Sequence, residues 1–221
     1  MKKRIPLLLA LCLLVIPMTG TVSADDHDPA FSPEPALQTV EQDITFPAGS
    51  VPADSALLDG IQLPIHALAL SMLEHEDTYD TQSPDFVWNA LYYALSMYGQ
   101  ADDRAQLTPE ALLLPSESVH DFARALFARL ESLPSVPPQM ADFVPYEAAT
   151  DTYWFAPGDF AETQPLLGDL TKQPDGSFLL DGSLTALEDN TPLCTFRITL
   201  LENDTMFGFS IVDACLSCSD C

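Results

Sequence analysis

Four cysteines lie near the carboxyl end of the chain, and their spacing allows two kinds of chemistry. They are Cys194, Cys215, Cys218 and Cys221. An even number of cysteines in an exported chain indicates two disulfides. The same four thiolates could instead hold zinc or an iron–sulfur cluster. We favour disulfides, because outside the cell a metal site of this kind competes with thiol oxidation.

The pairing of these cysteines depends on the predicted strands. If residues 202–205 turn the last hairpin, Cys194 and Cys215 are close neighbours on adjacent antiparallel strands. We therefore predict a Cys194–Cys215 disulfide, with Cys218 and Cys221 closing a small terminal loop. A redox-active Cys218–Cys221 pair is the weaker interpretation, since such cysteines usually open a helix that lowers the thiol pKa.

A second candidate site depends on where the chain is cleaved. Cleavage after Ala24 makes Asp25, Asp26 and His27 the first three residues. A free amine, two amide nitrogens and the His27 imidazole can wrap one square-planar ion, which suits Cu(II) or Ni(II). This arrangement resembles the amino-terminal copper- and nickel-binding motif of albumins. A cleavage shifted by one residue abolishes it, and the alternative is a solvated acidic tail.

The first 24 residues have the pattern of a cleavable secretory signal. Lys2, Lys3 and Arg4 precede an apolar run at 7–16 that is too short to span a bilayer as a helix. Small residues at 22–24 suit a signal peptidase. The pattern predicts a secreted or extracytoplasmic protein, and no later apolar run has the length of a transmembrane segment.

The charge of the chain limits its partners. The formal net charge is −25, from 33 acidic and 8 basic residues, and three of the bases lie in the signal. Removal of the signal therefore lowers the net charge to −28. Such a field repels phosphate backbones, so we expect no nucleic-acid partner. It favours cations, basic peptides or simple colloidal solubility.

The domain that would position these sites begins with helices. Residues 25–45 are acidic and contain prolines, which predicts a flexible tail before a single domain at 46–221. Three amphipathic helices are expected in its first part, 46–132. We place Pro64 in the first turn of the first helix, and Ser83 and Ser118 as N-caps of the second and third. A further helical turn is expected at 108–110.

The second part of the domain, 140–221, has a sequence pattern typical of β-strands. Short connections between the last three strands predict an antiparallel meander. Helices first and strands afterwards predict an α+β fold in which about three helices pack on that meander. The layout is loosely similar to cystatin-like and nuclear-transport-factor-2-like folds, as an architectural analogy. The expected strands are 143–146, 152–155, 166–171, 177–187, 193–201 and 206–216.

The remaining candidate residues give weaker signals. Aromatic residues concentrate at 88–98 and 146–155, where they either fill the core or form an exposed strip that binds sugar or peptide. Loose calcium sites are conceivable at Asp175, Asp181 and Asp189. No catalytic motif stands out, and with 33 acidic residues no single carboxylate pair for glycoside hydrolysis can be chosen.

Together these observations predict an exported, soluble, acidic α+β domain. We expect a non-catalytic binding or accessory protein of the cell envelope or extracellular space, whose partner is a protein, peptide or glycan. The alternatives are a secreted hydrolase that uses acidic residues and a Cu(II)- or Ni(II)-binding amino terminus; no other cofactor is expected. A pocket with two carboxylates, one of raised pKa, would favour the hydrolase. An exposed aromatic patch without such a pair would favour the binding protein.

Overall fold

A computed structural model describes residues 55–158, 160 and 162–218, and these residues form an α+β fold. The predicted signal and tail, including Asp25, Asp26 and His27, lie outside the described residues, as does Cys221. The α+β expectation is confirmed by three helices and eight strands. The helices are α1 (Ser55–His75), α2 (Pro84–Tyr98) and α3 (Ser116–Leu126). The strands are β1 (Gln106–Leu107), β2 (Leu112–Pro115), β3 (Tyr146–Glu147), β4 (Thr152–Phe155), β5 (Thr163–Lys172), β6 (Phe178–Ala186), β7 (Pro192–Glu202) and β8 (Phe209–Cys218).

The strands form two antiparallel sheets rather than the single meander that was expected. The larger sheet has the order β5-β6-β7-β8 and is the predicted meander. The smaller sheet has the order β1-β2-β4-β3, and the sequence pattern indicated only its last two strands. The segment 108–110 is the turn that joins β1 to β2, since the Thr108 amide donates to the Ala111 carbonyl at 2.8 Å. The expected helical turn at 108–110 is therefore wrong.

Helix α1 is longer than predicted. It begins at Ser55 and runs through Pro64, which therefore lies inside the helix and not in its first turn. Proline in a helix interior removes one backbone hydrogen bond, but burial of an apolar face can offset that cost. Ile61, Ile65 and Leu68 are fully buried on both sides of the proline. Packing thus outweighs the local preference.

The two predicted N-caps have different outcomes. Ser83 caps α2 as expected, because its hydroxyl accepts a hydrogen bond from the Phe86 amide at 3.3 Å. Ser118 does not cap α3, which starts at Ser116 and has Pro115 at the N-cap position. Ser118 is instead fully buried within the helix. Strand β2 leads directly into α3, and the N-cap therefore lies three residues earlier than predicted.

The register of the last hairpin differs from the prediction. Cys194 pairs with Cys218, whereas Cys215 pairs with Arg197. The loop is longer than the predicted turn at 202–205, because Gly208 takes a positive φ of 75° and its amide donates to the Thr205 carbonyl. Directly opposed residues share a sheet face, so Cys194 and Cys215 lie on opposite faces of the sheet. The predicted opposition of Cys194 and Cys215 is therefore wrong.

The core lies between the helices and the inner faces of both sheets. Helix α1 packs on β5, β6 and β8 of the larger sheet, while α2 and α3 contact β4 of the smaller one. Alternate residues of β7, such as Phe196 and Ile198, are buried, and those between them face outward. Within the described residues, no helix combines the length and the apolar character needed to cross a membrane.

Candidate functional site

Aromatic residues on α2 take part in two groups of ring contacts. The Tyr92 ring lies 6.2 Å from the Phe143 ring and 6.0 Å from the Phe160 ring, measured between centroids. Phe160 also packs on Tyr93, with 4.5 Å between centroids. Tyr92 and Phe160 are half-buried, whereas Phe143 is 59% exposed. The two contacts of Tyr92 are edge-to-face, which is a preferred geometry of aromatic pairs.

A second group of ring contacts joins α2 to the smaller sheet. Trp88 lies one turn before Tyr92 on α2, is fully buried, and contacts the Tyr153 ring at 5.5 Å between centroids. Tyr153 in turn packs on Tyr146 of the edge strand β3, at 4.6 Å. We call these seven residues the aromatic band: Trp88, Tyr92, Tyr93, Phe143, Tyr146, Tyr153 and Phe160.

The band includes exposed rings as well as buried ones. Tyr146 is 48% exposed, and with Phe143 it leaves two large aromatic side chains open to solvent. Trp154 is 38% exposed, but it lies on the opposite face of β4 from Tyr153 and is outside the band. The aromatic residues thus divide between core and surface, and ligand binding by the exposed ones stays a prediction. Trp88 and Tyr93 fill the core, and Phe143 and Tyr146 are exposed.

Carboxylates accompany the band along its length. The Tyr146 hydroxyl donates to Asp151 Oδ1 at 2.7 Å, and the Tyr93 hydroxyl donates to Glu74. Burial, together with the Glu74 contact, raises the pKa of Tyr93, and the Asp151 hydrogen bond raises the pKa of Tyr146. Asp142, next to Phe143, is exposed. The band therefore presents neutral aromatic faces in a negative field.

One end of the band opens into a cavity that contains a buried histidine. Phe160 and Glu162 line this cavity of about 270 Å³ together with His66 and Tyr98. The His66 imidazole shares hydrogen bonds with the Tyr98 hydroxyl through Nδ1 and with Thr163 Oγ1 through Nε2, the latter at 2.8 Å. Burial lowers the pKa of His66 to about 4, so the imidazole is neutral at physiological pH.

The described carboxylates with shifted pKa values do not form a hydrolytic pair. Asp102 is buried, and Arg104 donates three hydrogen bonds to its carboxylate, two from the guanidinium and one from the backbone amide, which lower its pKa to about 2. Asp175 and Asp189 also have lowered pKa values, because each accepts hydrogen bonds within its own turn. A general acid needs the opposite shift. These three carboxylates therefore lend no support to the hydrolase alternative.

The three aspartates considered for calcium are placed apart. Asp175 accepts hydrogen bonds from Ser177, Asp189 accepts one from the Thr191 amide, and Asp181 pairs with Arg197 at 2.7 Å. Among the residues that the structure describes, no group of three or more histidine, cysteine or acidic side chains could hold a metal ion. This does not test the predicted amino-terminal copper or nickel site, which lies outside those residues.

The cysteines are brought together differently from the expectation. Cys194 is buried on the inner face of β7, and the register places Cys218 of β8 opposite it. Cys215 is exposed and lies opposite Arg197. The disulfide prediction itself is not tested by these positions, and neither is the zinc alternative.

The sequence pattern indicated part of the band but not its ring contacts. The segments 88–98 and 146–155 stood out as aromatic clusters, while Phe143 and Phe160 are single residues in loops without periodicity. Their contacts with Tyr92 depend on how the smaller sheet packs against α2. The pair Asp102–Arg104 and the His66 cluster also lacked a sequence signal, since their partners are distant or lie in irregular segments.

The chain matches no protein-family model, and no curated protein or solved structure matches it.

Proposed function

We propose that this chain is an exported, non-catalytic binding protein whose aromatic band holds a basic peptide segment of its partner. The observation that carries the proposal is the combination of exposed rings and hydrogen-bonded carboxylates among the residues of the band. Phe143 and Tyr146 are exposed, Tyr146 is bonded to Asp151, and Tyr93 is bonded to Glu74. Contiguous exposed aromatic surface is typical of a binding site.

The charge around the band favours a cationic ligand. A lysine or arginine over an aromatic face gains about 0.5–1 kcal/mol at an exposed site. The neighbouring carboxylates add attraction for the same ligand, and the net charge of −28 after signal removal raises the local concentration of cations. An acidic peptide meets repulsion from each of these sources.

A peptide also fits the band better than a neutral sugar does. Sugar sites combine a flat ring with free polar groups that bond the hydroxyls. In the band, the hydroxyls of Tyr93 and Tyr146 already donate to carboxylates, so neither proton is available to a sugar without breaking a bond. Apolar side chains of a peptide can pack between the rings, and its basic side chains can reach the acidic rim.

Fluorescence anisotropy with three labelled probes tests the proposal. Two peptides of equal length alternate leucine with either lysine or glutamate, separated by glycine and serine, and the third probe is a neutral oligosaccharide. We expect the lysine peptide alone to bind, with an affinity that falls as salt rises. Stronger binding of the glutamate peptide or of the sugar contradicts the proposal.

Matched variants locate the binding surface. The double variant Phe143→Ser/Tyr146→Ser removes the two most exposed rings of the band and should weaken lysine-peptide binding by about tenfold or more. Trp154→Ser removes an exposed ring of similar size on the opposite face of β4 and should leave the affinity unchanged. Equal losses in both variants would show a nonspecific apolar attraction.

The intact mass of the exported protein bears on three further proposals: export, cysteine pairing and copper binding. We propose that the protein is secreted or extracytoplasmic and begins at Asp25, and that it carries two disulfides. The strand register supports Cys218 as the partner of Cys194 in place of Cys215. Intact mass before and after reduction should show that start and a difference of four hydrogens, and alkylation should add four alkyl groups only after reduction. Peptide mapping then identifies the pairs.

The amino-terminal metal proposal depends on the same mass. A start at Asp25 makes Cu(II) titration informative, and one equivalent should bind and disappear when residues 25–27 are deleted. A different start refutes this proposal outright. Four alkylatable thiols without reduction refute the disulfides and favour the zinc alternative.

A further inference from the structure

Arg129 occupies a cleft between the helical part and the larger sheet. It lies in the turn that follows α3, and that turn is fixed to the sheet because the Ala128 amide donates to the Ile211 carbonyl at 2.8 Å. The Tyr79 hydroxyl donates a shared hydrogen bond to the carbonyl oxygens of Leu126 and Ile211, each at 3.0 Å. The walls around Arg129 are thus tied together by hydrogen bonds.

Arg129 differs from the other basic residues that the structure describes. Arg104, Arg124 and Arg197 each pair with at least one carboxylate, and Lys172 lies over the Phe178 ring at 5.3 Å. Within the described residues, Arg129 forms no ion pair at all. In so acidic a chain, an exposed guanidinium without a carboxylate partner keeps its donors for another group.

The cleft around Arg129 has the size of a small-molecule site. Two adjoining cavities, of about 360 and 400 Å³, share Arg129 and Thr81. The second cavity reaches the β-bulge of the larger sheet, where the pairing of β7 with β8 shifts between Thr199 and Leu200. A bulge breaks the regular ladder and opens space at a sheet edge.

Carboxylates surround the guanidinium without pairing to it. Asp80 and Asp213 line one cavity, and Glu131 lines the other. Asp80 is held in place because its Oδ1 accepts a hydrogen bond from the Gln82 amide at 2.8 Å. A simple anion that approached Arg129 would meet these three charges and the negative field of the whole protein. A ligand that also carries a positive charge beside its anionic group would be attracted by these carboxylates.

We propose that the Arg129 cleft binds a free α-amino acid as its zwitterion. The ligand carboxylate accepts hydrogen bonds from the Arg129 guanidinium, which matches carboxylate geometry with two parallel donors. The ligand ammonium lies toward Asp80, Asp213 or Glu131. The remaining volume takes a side chain, and the hydroxyls of Thr81 and Thr199 supply further polar contacts. This site is separate from the aromatic band and does not depend on the function proposed for it.

Isothermal titration calorimetry with blocked amino acids tests each charge separately. The probes are L-alanine, L-glutamine and L-phenylalanine, each also as its N-acetyl form and as its carboxamide. We expect at least one free amino acid to bind. Both of its blocked forms should bind with an affinity that is lower by a factor of about ten or more. No heat from any free amino acid overturns the proposal. Equal binding of the N-acetyl form also overturns it and identifies a simple anion site.

Two arginine variants complete the test. Arg129→Gln should reduce the affinity for the bound amino acid by about tenfold or more. The matched control is Arg124→Gln, because Arg124 is an exposed arginine paired with Asp121. This control should not change the affinity for the amino acid. Tyr146→Ser should leave amino-acid binding intact, which separates failure of this site from failure of the band. Unchanged binding by Arg129→Gln refutes the assignment.

Discussion

Acidification should destabilise this protein through one buried histidine. His66 is only 6% exposed, and its two ring nitrogens bond to the hydroxyls of Tyr98 and Thr163. Burial lowers its pKa from 6.5 to about 4. The unfolded chain therefore binds a proton at a pH where the folded chain does not.

The pKa values set the sign and size of the effect. Between pH 6.5 and pH 4 the unfolded state carries more protons at this position, so the free energy of unfolding rises with pH. The contribution of His66 is complete above pH 6.5 and is lost as pH falls toward 4. A shift of two to three pKa units corresponds to about 3 kcal/mol, at 1.36 kcal/mol per unit.

Chemical denaturation at pH 7 and pH 4 measures this contribution as a difference between variants. Other titrating groups act equally in the wild type and in His66→Gln, so their effects cancel in the comparison. The wild type should lose about 3 kcal/mol more than His66→Gln on acidification. The control His120→Gln changes an exposed histidine of α3 and should behave as the wild type does.

Two results would refute this reasoning. The first is an equal loss of stability in the wild type and in His66→Gln. The second is an NMR titration in which the His66 ring protonates near pH 6.5 in the folded protein, and this test remains available if the variant does not fold. Either result would mean that the cavity beside Phe160 admits enough water to hydrate the charged ring.

Two further predictions concern packing and a buried charge. Arg104→Met should lower the free energy of unfolding by about 3 kcal/mol in chemical denaturation, because it leaves the buried Asp102 carboxylate without its guanidinium partner. A loss below about 1 kcal/mol would contradict this. Gly182→Ala should cost about 1–3 kcal/mol, since a Cβ there would lie 2.4 Å from the Phe196 ring, while the neighbouring Ser183→Ala should be near neutral in the same assay.

Regular elements were predictable because their signals are local. The α2 cap follows from Ser83 before Pro84, and the alternation of β7 follows from the period of two in its sequence. The start of α1 was not predictable from Pro64, because distant burial of its apolar face decides how far the helix extends. In the last hairpin, Gly208 was the overlooked signal, since its positive φ lengthens the loop and shifts the register.

The candidate sites depend on contacts that local patterns do not encode. Phe143 and Phe160 meet Tyr92 only when the smaller sheet packs beside α2, and that sheet pairs β2 with β4 across many intervening residues. His66 meets Thr163 for the same kind of reason. In the sequence Arg129 resembles any other surface arginine, and only the lack of an ion pair to it among the described residues distinguishes it.

Aromatic carbon–proton NMR spectra of the exported protein test the central claim most directly. Addition of the lysine–leucine peptide should shift the ring signals of Tyr92, Phe143, Tyr146 and Phe160 and leave those of Trp154 in place. Shifts confined to Trp154 or to the outer face of the larger sheet would contradict the assignment of the aromatic band as the binding surface, and so would the absence of any shift.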